Sequence, residues 1–144
     1  MAAKILIVDD EELIRWSLAE DLTAAGYKTV VAADLAEAMA ALETENPDVV
    51  LTDLRLGHDS GLDVLKNARR NNPDLPIIIM TAFADLASAV EALREGAADY
   101  ISKPLQLAGL KITLKRVLET AQLKRRLDRA HLKGLDKYNF ASIV

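Results

Sequence analysis

Five short runs rich in β-branched and aliphatic residues recur along the chain: KILIV at 4–8, KTVVAA at 28–33, DVVLTD at 48–53, PIIIMTA at 76–82 and DYIS at 99–102. Three of these are apolar at successive rather than alternate positions, the pattern of strands covered on both faces, as in a parallel sheet. Segments with helical spacing separate them. Leu13, Ile14, Leu18 and Leu22 share one face of a first helix that closes at Gly26. Asp34, followed three residues later by Glu37, has the outline of a capping box, and Asn46-Pro47 stops that second helix. Leu62, Val64, Leu65 and Ala68 mark a third helix, closed by NNPDLP; Asp85 caps a fourth running through Leu86, Val90 and Leu93 to Gly96. A fifth, longer helix follows Pro104. The order βαβαβαβαβα predicts an open, parallel α/β sheet with right-handed crossovers.

Composition bounds what such a sheet can be used for. At 144 residues the chain is one domain by length, with room for a tail, and it can bury roughly 70% of its unfolded surface without a disulfide or structural metal. It has no cysteine, which excludes a disulfide scaffold and a thiolate zinc site and fits a reducing compartment. A net charge of −4 argues against a nucleic-acid-binding surface over the domain as a whole. No apolar stretch approaches the roughly 18 residues of a membrane span, and the apolar part of MAAKILIV is too short for a signal peptide. A cytoplasmic protein is the expectation.

In sheets of this kind ligands collect at the carboxyl ends of the strands. Strand one ends in Asp9-Asp10, strand three in Asp53, strand four in Thr81, and strand five leads to Lys103-Pro104. Four of five strand ends thus deliver chemistry to one rim. Carboxylates gathered there repel by about 4 kcal/mol per pair at 4 Å and an effective dielectric near 20. A cation must offset this, or one carboxylate takes up a proton. Mg²⁺, with Mn²⁺ as substitute, suits oxygen ligands and binds through one or two carboxylates plus a phosphate. Lys103 supplies a fixed cation, Thr81 a hydroxyl donor, and a carboxylate can be a nucleophile toward phosphorus. No residue stands out as a base for fast hydrolysis. The chemistry is that of taking up a phosphoryl group and holding it.

ILIVDDE, DVVLTDLRLGHDSGLDVL, PIIIMTAFA and GAADYISKPL resemble, in order and spacing, the receiver domain of bacterial two-component response regulators. The resemblance covers roughly residues 3–120, and it lies in the ordered set Asp-Asp, Asp, Thr, aromatic and Lys-Pro. It implies a five-stranded flavodoxin-like fold with strand order 2-1-3-4-5. It further implies that Asp53 is the phosphoacceptor, Asp10 a direct Mg²⁺ ligand, Asp9 a ligand at one remove through water, and the backbone carbonyl of Arg55 a further ligand. Thr81 and Lys103 would contact the phosphoryl oxygens, and the bond before Pro104 would be cis. Tyr100 would rotate inward as Thr81 moves toward the phosphate. Gly57 departs from the pattern: the family usually has proline there, and glycine frees the backbone behind Asp53.

Several residues have plainer readings. An isolated Asp pair commonly caps a helix, and it is the convergence with Asp53 and Lys103 that favours a metal site. His58 is expected on a loop surface, His131 in solvent on the long helix, and Trp16 partly covered near the polar side of the first helix. Arg55 and Phe83 stand two residues beyond Asp53 and Thr81, positions from which bulky side chains would flank an attacking water and slow loss of phosphate.

From Leu107 the apolar positions run Leu110, Leu114, Val117 and Ala121, then change phase to Leu123, Leu127 and Ala130. A helix over 105–132 would be about 40 Å long, longer than this sheet needs. Residues 1–120 are therefore assigned to the receiver and 121–144 to a helical linker that can form a short seam with a second copy. LDKYNFASIV resembles the lead-in to the AAA+ ATPase domain of sigma-54-dependent activators of the nitrogen-regulation class. On that resemblance the chain is the regulatory part of a longer activator whose ATPase and DNA-binding domains lie outside it, and it binds neither nucleic acid nor membrane itself.

The expected function is a switch in which a sensor histidine kinase phosphorylates Asp53 with Mg²⁺. Inward movement of Thr81 and Tyr100 then reshapes the fourth helix and fifth strand and alters dimerisation. Such a domain catalyses its own phosphorylation and slow dephosphorylation without being a turnover enzyme. A haloacid-dehalogenase-type phosphohydrolase is the enzyme alternative, but it usually has Asp-x-Asp after the first strand. A pseudo-receiver that only dimerises is the binding alternative; the full acceptor, metal and lysine set argues against it. Dinucleotide binding lacks the G-x-G-x-x-G after strand one.

Overall fold

The computed structural model describes residues 2–82 and 85–138, with side chains to residue 128. Five parallel strands form the central sheet: β1 (Lys4–Val8), β2 (Lys28–Ala32), β3 (Val49–Asp53), β6 (Ile77–Thr81) and β7 (Asp99–Ser102). Their order, β2-β1-β3-β6-β7, is 2-1-3-4-5 when the sheet strands are counted alone, as expected of the flavodoxin-like arrangement. Strand order reverses between β1 and β3, the place where such sheets open a ligand crevice. The consecutive apolar residues are explained by two cores. Leu6, Val8, Val50, Ile77 and Ile79 face a core closed by α2 (Leu35–Glu45), α3 (Gly61–Asn71) and α4 (Leu86–Arg94). Ile5, Ile7, Leu51, Ile78 and Met80 face one closed by α1 (Glu12–Ala24) and α5 (Leu107–Tyr138).

Local signals behave largely as the residues dictate. The Asp34 carboxylate accepts from the Glu37 amide at 2.8 Å, and Glu37 reaches back to the Ala33 amide at 2.9 Å. Gly26 follows α1 with φ +100°, a left-handed close that suits glycine. Two helix faces differ from the expectation. Ile14, Leu18 and Leu22 pack on the core but Leu13 is 74% exposed, because at about 100° per residue it falls on the far side of α1 from Leu18 and Leu22. On α4 it is the small residues Ala89 and Ala92 that meet the sheet, while Leu86, Val90 and Leu93 face outward. Small residues let α4 lie close to β6 and β7, and the predicted apolar stripe becomes a surface.

The segment after β3 also differs. Arg55–Leu56 (β4) and Asp59–Ser60 (β5) pair antiparallel around a Gly57-His58 turn. Gly57 has φ +66° at the first central position, where II′ hairpin turns favour glycine. The residue at the place of the usual proline therefore stands in the turn of a small hairpin. α5 extends farther than predicted, 32 residues and about 48 Å. No helix among the described residues is long and apolar enough to cross a membrane.

Candidate functional site

The rim residues converge. Asp9, Asp10 and Asp53 each offer a carboxylate oxygen, all within 4.8 Å of one another. Asp9 is completely buried and Asp53 nearly so, whereas Asp10 faces solvent. Lys103, half-buried beside β7, donates to Asp53 Oδ2 at 2.8 Å and to Asp9 Oδ2 at 3.2 Å. The bond between Lys103 and Pro104 is cis.

Backbone geometry holds these groups. Asp53 closes β3 in register with Met80, and the buried Thr52 hydroxyl donates to the Asp53 carbonyl at 3.0 Å. The outer oxygen Asp53 Oδ1 accepts from the Arg55 amide at 3.3 Å. Asp9 Oδ1 accepts from the Glu11 amide at 2.9 Å, and Arg15 donates to the Asp9 carbonyl at 2.8 Å. Gly61 leaves no room behind the acceptor: a Cβ there would lie 2.3 Å from the Asp53 carbonyl oxygen.

Charge is unbalanced by design. Three carboxylates face one ammonium, a formal excess of two negative charges if all are ionised. Burial pushes the Asp9 carboxyl above its ordinary range; the Glu11 amide and Lys103 oppose the rise and Asp53 adds to it. Burial alone would lower Lys103, yet its hydrogen bond and charge pairing with Asp53, and those with Asp9, hold it above its ordinary value. An all-oxygen donor set with two uncompensated charges, one carboxylate exposed, fits a hard divalent cation such as Mg²⁺.

Thr81 ends β6 at the same rim, almost fully buried, and its hydroxyl donates to the Ala82 carbonyl at 3.1 Å. Tyr100 is half-buried against the α2–α4 core. The Arg55 side chain is turned toward Asp85. Its guanidinium makes a bidentate pair with Asp85, 2.8 Å from Nε to Oδ2 and 2.6 Å from its terminal nitrogen to Oδ1. Asp85, expected to cap α4, makes no side-chain capping bond. His58 sits exposed at the hairpin tip and Trp16 is 62% exposed on α1. Phe83, the side chain of His131 and residues 139–144 lie outside the described residues.

Residues 5–115 match the family described as the response regulator receiver domain. The chain belongs to that family. This receiver domain is 38% identical over 128 residues to the regulatory protein AtoC of Escherichia coli, covering 89% of this chain and 28% of that protein. It is 36% identical over 130 residues to the E. coli DNA-binding transcriptional regulator NtrC, covering 90% and 28%. Among solved structures, NtrX from Brucella abortus superimposes with a TM-score of 0.86 at 36% identity, over 90% of this chain and 30% of that one. A response regulator receiver domain from Clostridium thermocellum gives 0.80 at 32% identity, over 84% and 98%. The receiver thus spans under a third of the curated relatives and nearly all of an isolated receiver.

Arg15, Gly61 and Asp85 were not singled out for the site from sequence. Asp85 acts through a contact thirty residues away in sequence, Arg15 through one only six residues back to Asp9, and Gly61 sits at a strand-to-helix turn.

Proposed function

We propose that this receiver is a phosphorylation switch whose acceptor is Asp53. The observation that carries the reading is Lys103 bridging Asp53 and Asp9 within a three-carboxylate cluster. In the reaction the P–N bond of a kinase phosphohistidine breaks, a P–O bond to an Asp53 carboxylate oxygen forms, and the imidazole leaves with a proton taken up at its ring nitrogen. Asp10, Asp53 and the Arg55 carbonyl would hold Mg²⁺, or Mn²⁺ in its place, with Asp9 acting through water. The metal supplies neutralisation of phosphoryl charge. Lys103 moves from the free carboxylate to a phosphoryl oxygen, and the Thr81 hydroxyl leaves the Ala82 carbonyl for another. Tyr100 follows inward, altering the outer face of α4 and β7.

That face, with the exposed end of α5, is where a second copy would dock. Residues 1–120 are the switch, and 121–144 a helical linker toward an AAA+ ATPase and DNA-binding output of the sigma-54 activator type, in the cytoplasm. The share of AtoC and NtrC left uncovered supports an output beyond this receiver. Arg55 and Phe83, the latter outside the described residues, stand two positions beyond Asp53 and Thr81 in sequence, and on that ground Arg55→Ala and Phe83→Ala are expected to shorten the phosphoryl lifetime. The deciding experiment is labelling by acetyl phosphate with Mg²⁺, read as an intact-mass shift. Wild type is expected to be labelled and Asp53→Asn not. Equal labelling of both would remove the acceptor assignment.

A further inference from the structure

The bidentate pair between Arg55 and Asp85 joins the two loops that flank the acceptor, one from β3 and one from β6. Arg55 is tethered close to the reaction: its own amide donates to Asp53 Oδ1 at 3.3 Å. Its side chain is 76% exposed, and among the described residues Asp85 is the one with which it forms a salt bridge. Asp85 in turn sits at the capping position of α4 without capping it, and the first turn of α4 contains no acidic residue to do so instead. The helix amides there attract a carboxylate. Each member of the pair thus has a second group of opposite charge next to it in sequence: the acceptor region two residues before Arg55, and the start of α4 after Asp85.

Resting on the proposed phosphorylation of Asp53, we propose that Asp85 is a positioning residue that holds the Arg55 guanidinium off the acceptor until a phosphoryl group competes for it. A phosphoryl group carries up to two negative charges and oxygens matched to the guanidinium fork, so it is the stronger attractor. Arg55 then changes partner, and the released Asp85 turns to the uncapped amides of α4. Charge at Asp53 in this way reaches α4 through a route separate from Thr81 and Tyr100.

Beryllofluoride binding in the presence of Mg²⁺, followed by fluorine NMR, tests the exchange on wild type, Asp85→Asn, Arg55→Gln, the double variant and Asp85→Glu. Asp85→Asn removes the competitor and is expected to tighten binding about threefold to fivefold, the scale of one well-formed exposed pair. Arg55→Gln is expected to weaken binding, and Asp85→Asn to have no effect in the Arg55→Gln background. Asp85→Glu keeps the carboxylate and stays near wild type. Unchanged affinity in Asp85→Asn, or the same change with and without Arg55, overturns the inference. Should wild type itself fail to bind beryllofluoride, the acceptor reading falls first, and the inference with it.

Discussion

Asp9 shows what a buried site residue costs its fold. Its carboxyl lies above the ordinary value of 3.8, burial being the largest cause, with the Glu11 amide and Lys103 opposing. A carboxyl raised in the folded state binds more protons there than in the unfolded chain. Without metal, Asp9 therefore contributes most favourably below 3.8, and stability falls as pH rises from there to its raised value. Asp9→Asn is expected to flatten that fall and to raise the neutral-pH urea midpoint of the metal-free protein, because Lys103 keeps Asp53 as a partner at 2.8 Å. The same variant is expected to lose the stabilisation that Mg²⁺ gives wild type. Urea titrations across pH, with and without Mg²⁺, measure both. An unaltered pH slope in Asp9→Asn would mean that Asp9 carries no such strain. Lys103 is the complement: pairing raises it, so its contribution is present at neutral pH and lost only as pH climbs through its raised value.

At the scale of elements, the acceptor depends on how closely α3 begins behind β3. The Gly61 amide donates to the Leu54 carbonyl at 2.8 Å, and a Cβ at Gly61 would also lie 2.9 Å from the Leu54 Cα. Backbone atoms cannot swing aside as a side chain can. Gly61→Ala is expected to destabilise the fold by about 1–3 kcal/mol and to slow acetyl phosphate labelling, since the backbone that must shift carries Asp53. Chemical denaturation and labelling rates check the two parts; an unaffected labelling rate would uncouple Gly61 from the acceptor. Elements were also where the sequence was most legible. Strand runs, the Asp34 capping box and the close at Gly26 are set by neighbours within a few residues. The rim was legible too, since a parallel βα order sends every strand end to one edge. Leu13, the outer face of α4 and the β4–β5 hairpin were not. Apolar spacing tells that a helix has an apolar side, while the neighbours decide whether that side is covered. Asp85 stands at the capping position expected of it but gives its carboxylate to Arg55: a capping residue and an ion-pair partner look alike in sequence until Arg55 is placed beside one of them.

Over the whole molecule, the change of apolar phase along α5 separates two surfaces. Leu110, Leu114 and Val117 are buried on the sheet, whereas Ile112 is 70%, Leu123 56% and Leu127 59% exposed. At about 100° per residue these exposed three fall within about 60° of one another, on the side opposite the sheet-facing stripe. Lys124 pairs with Asp74 at 3.4 Å, tying the helix to the turn before β6 and leaving the Leu123–Leu127 side outward. A charged helix with one apolar stripe gains by pairing that stripe with a second copy. The proposed dimer can use this seam, the outer face of α4 with Leu86, Val90 and Leu93, or both, and the two make different predictions. Replacing Leu123 and Leu127 together with glutamine removes the seam without touching either core, so the melting temperature of the diluted protein is expected to stay put. Multi-angle light scattering of the concentrated protein is expected to move from dimer toward monomer, by at least tenfold in dissociation constant. If beryllofluoride restores the dimer in that variant, the α4 face joins copies after phosphorylation and the helix seam before it. If the variant dimerises as wild type does in both states, the seam on α5 is solvent surface, and the α4 face carries self-association alone.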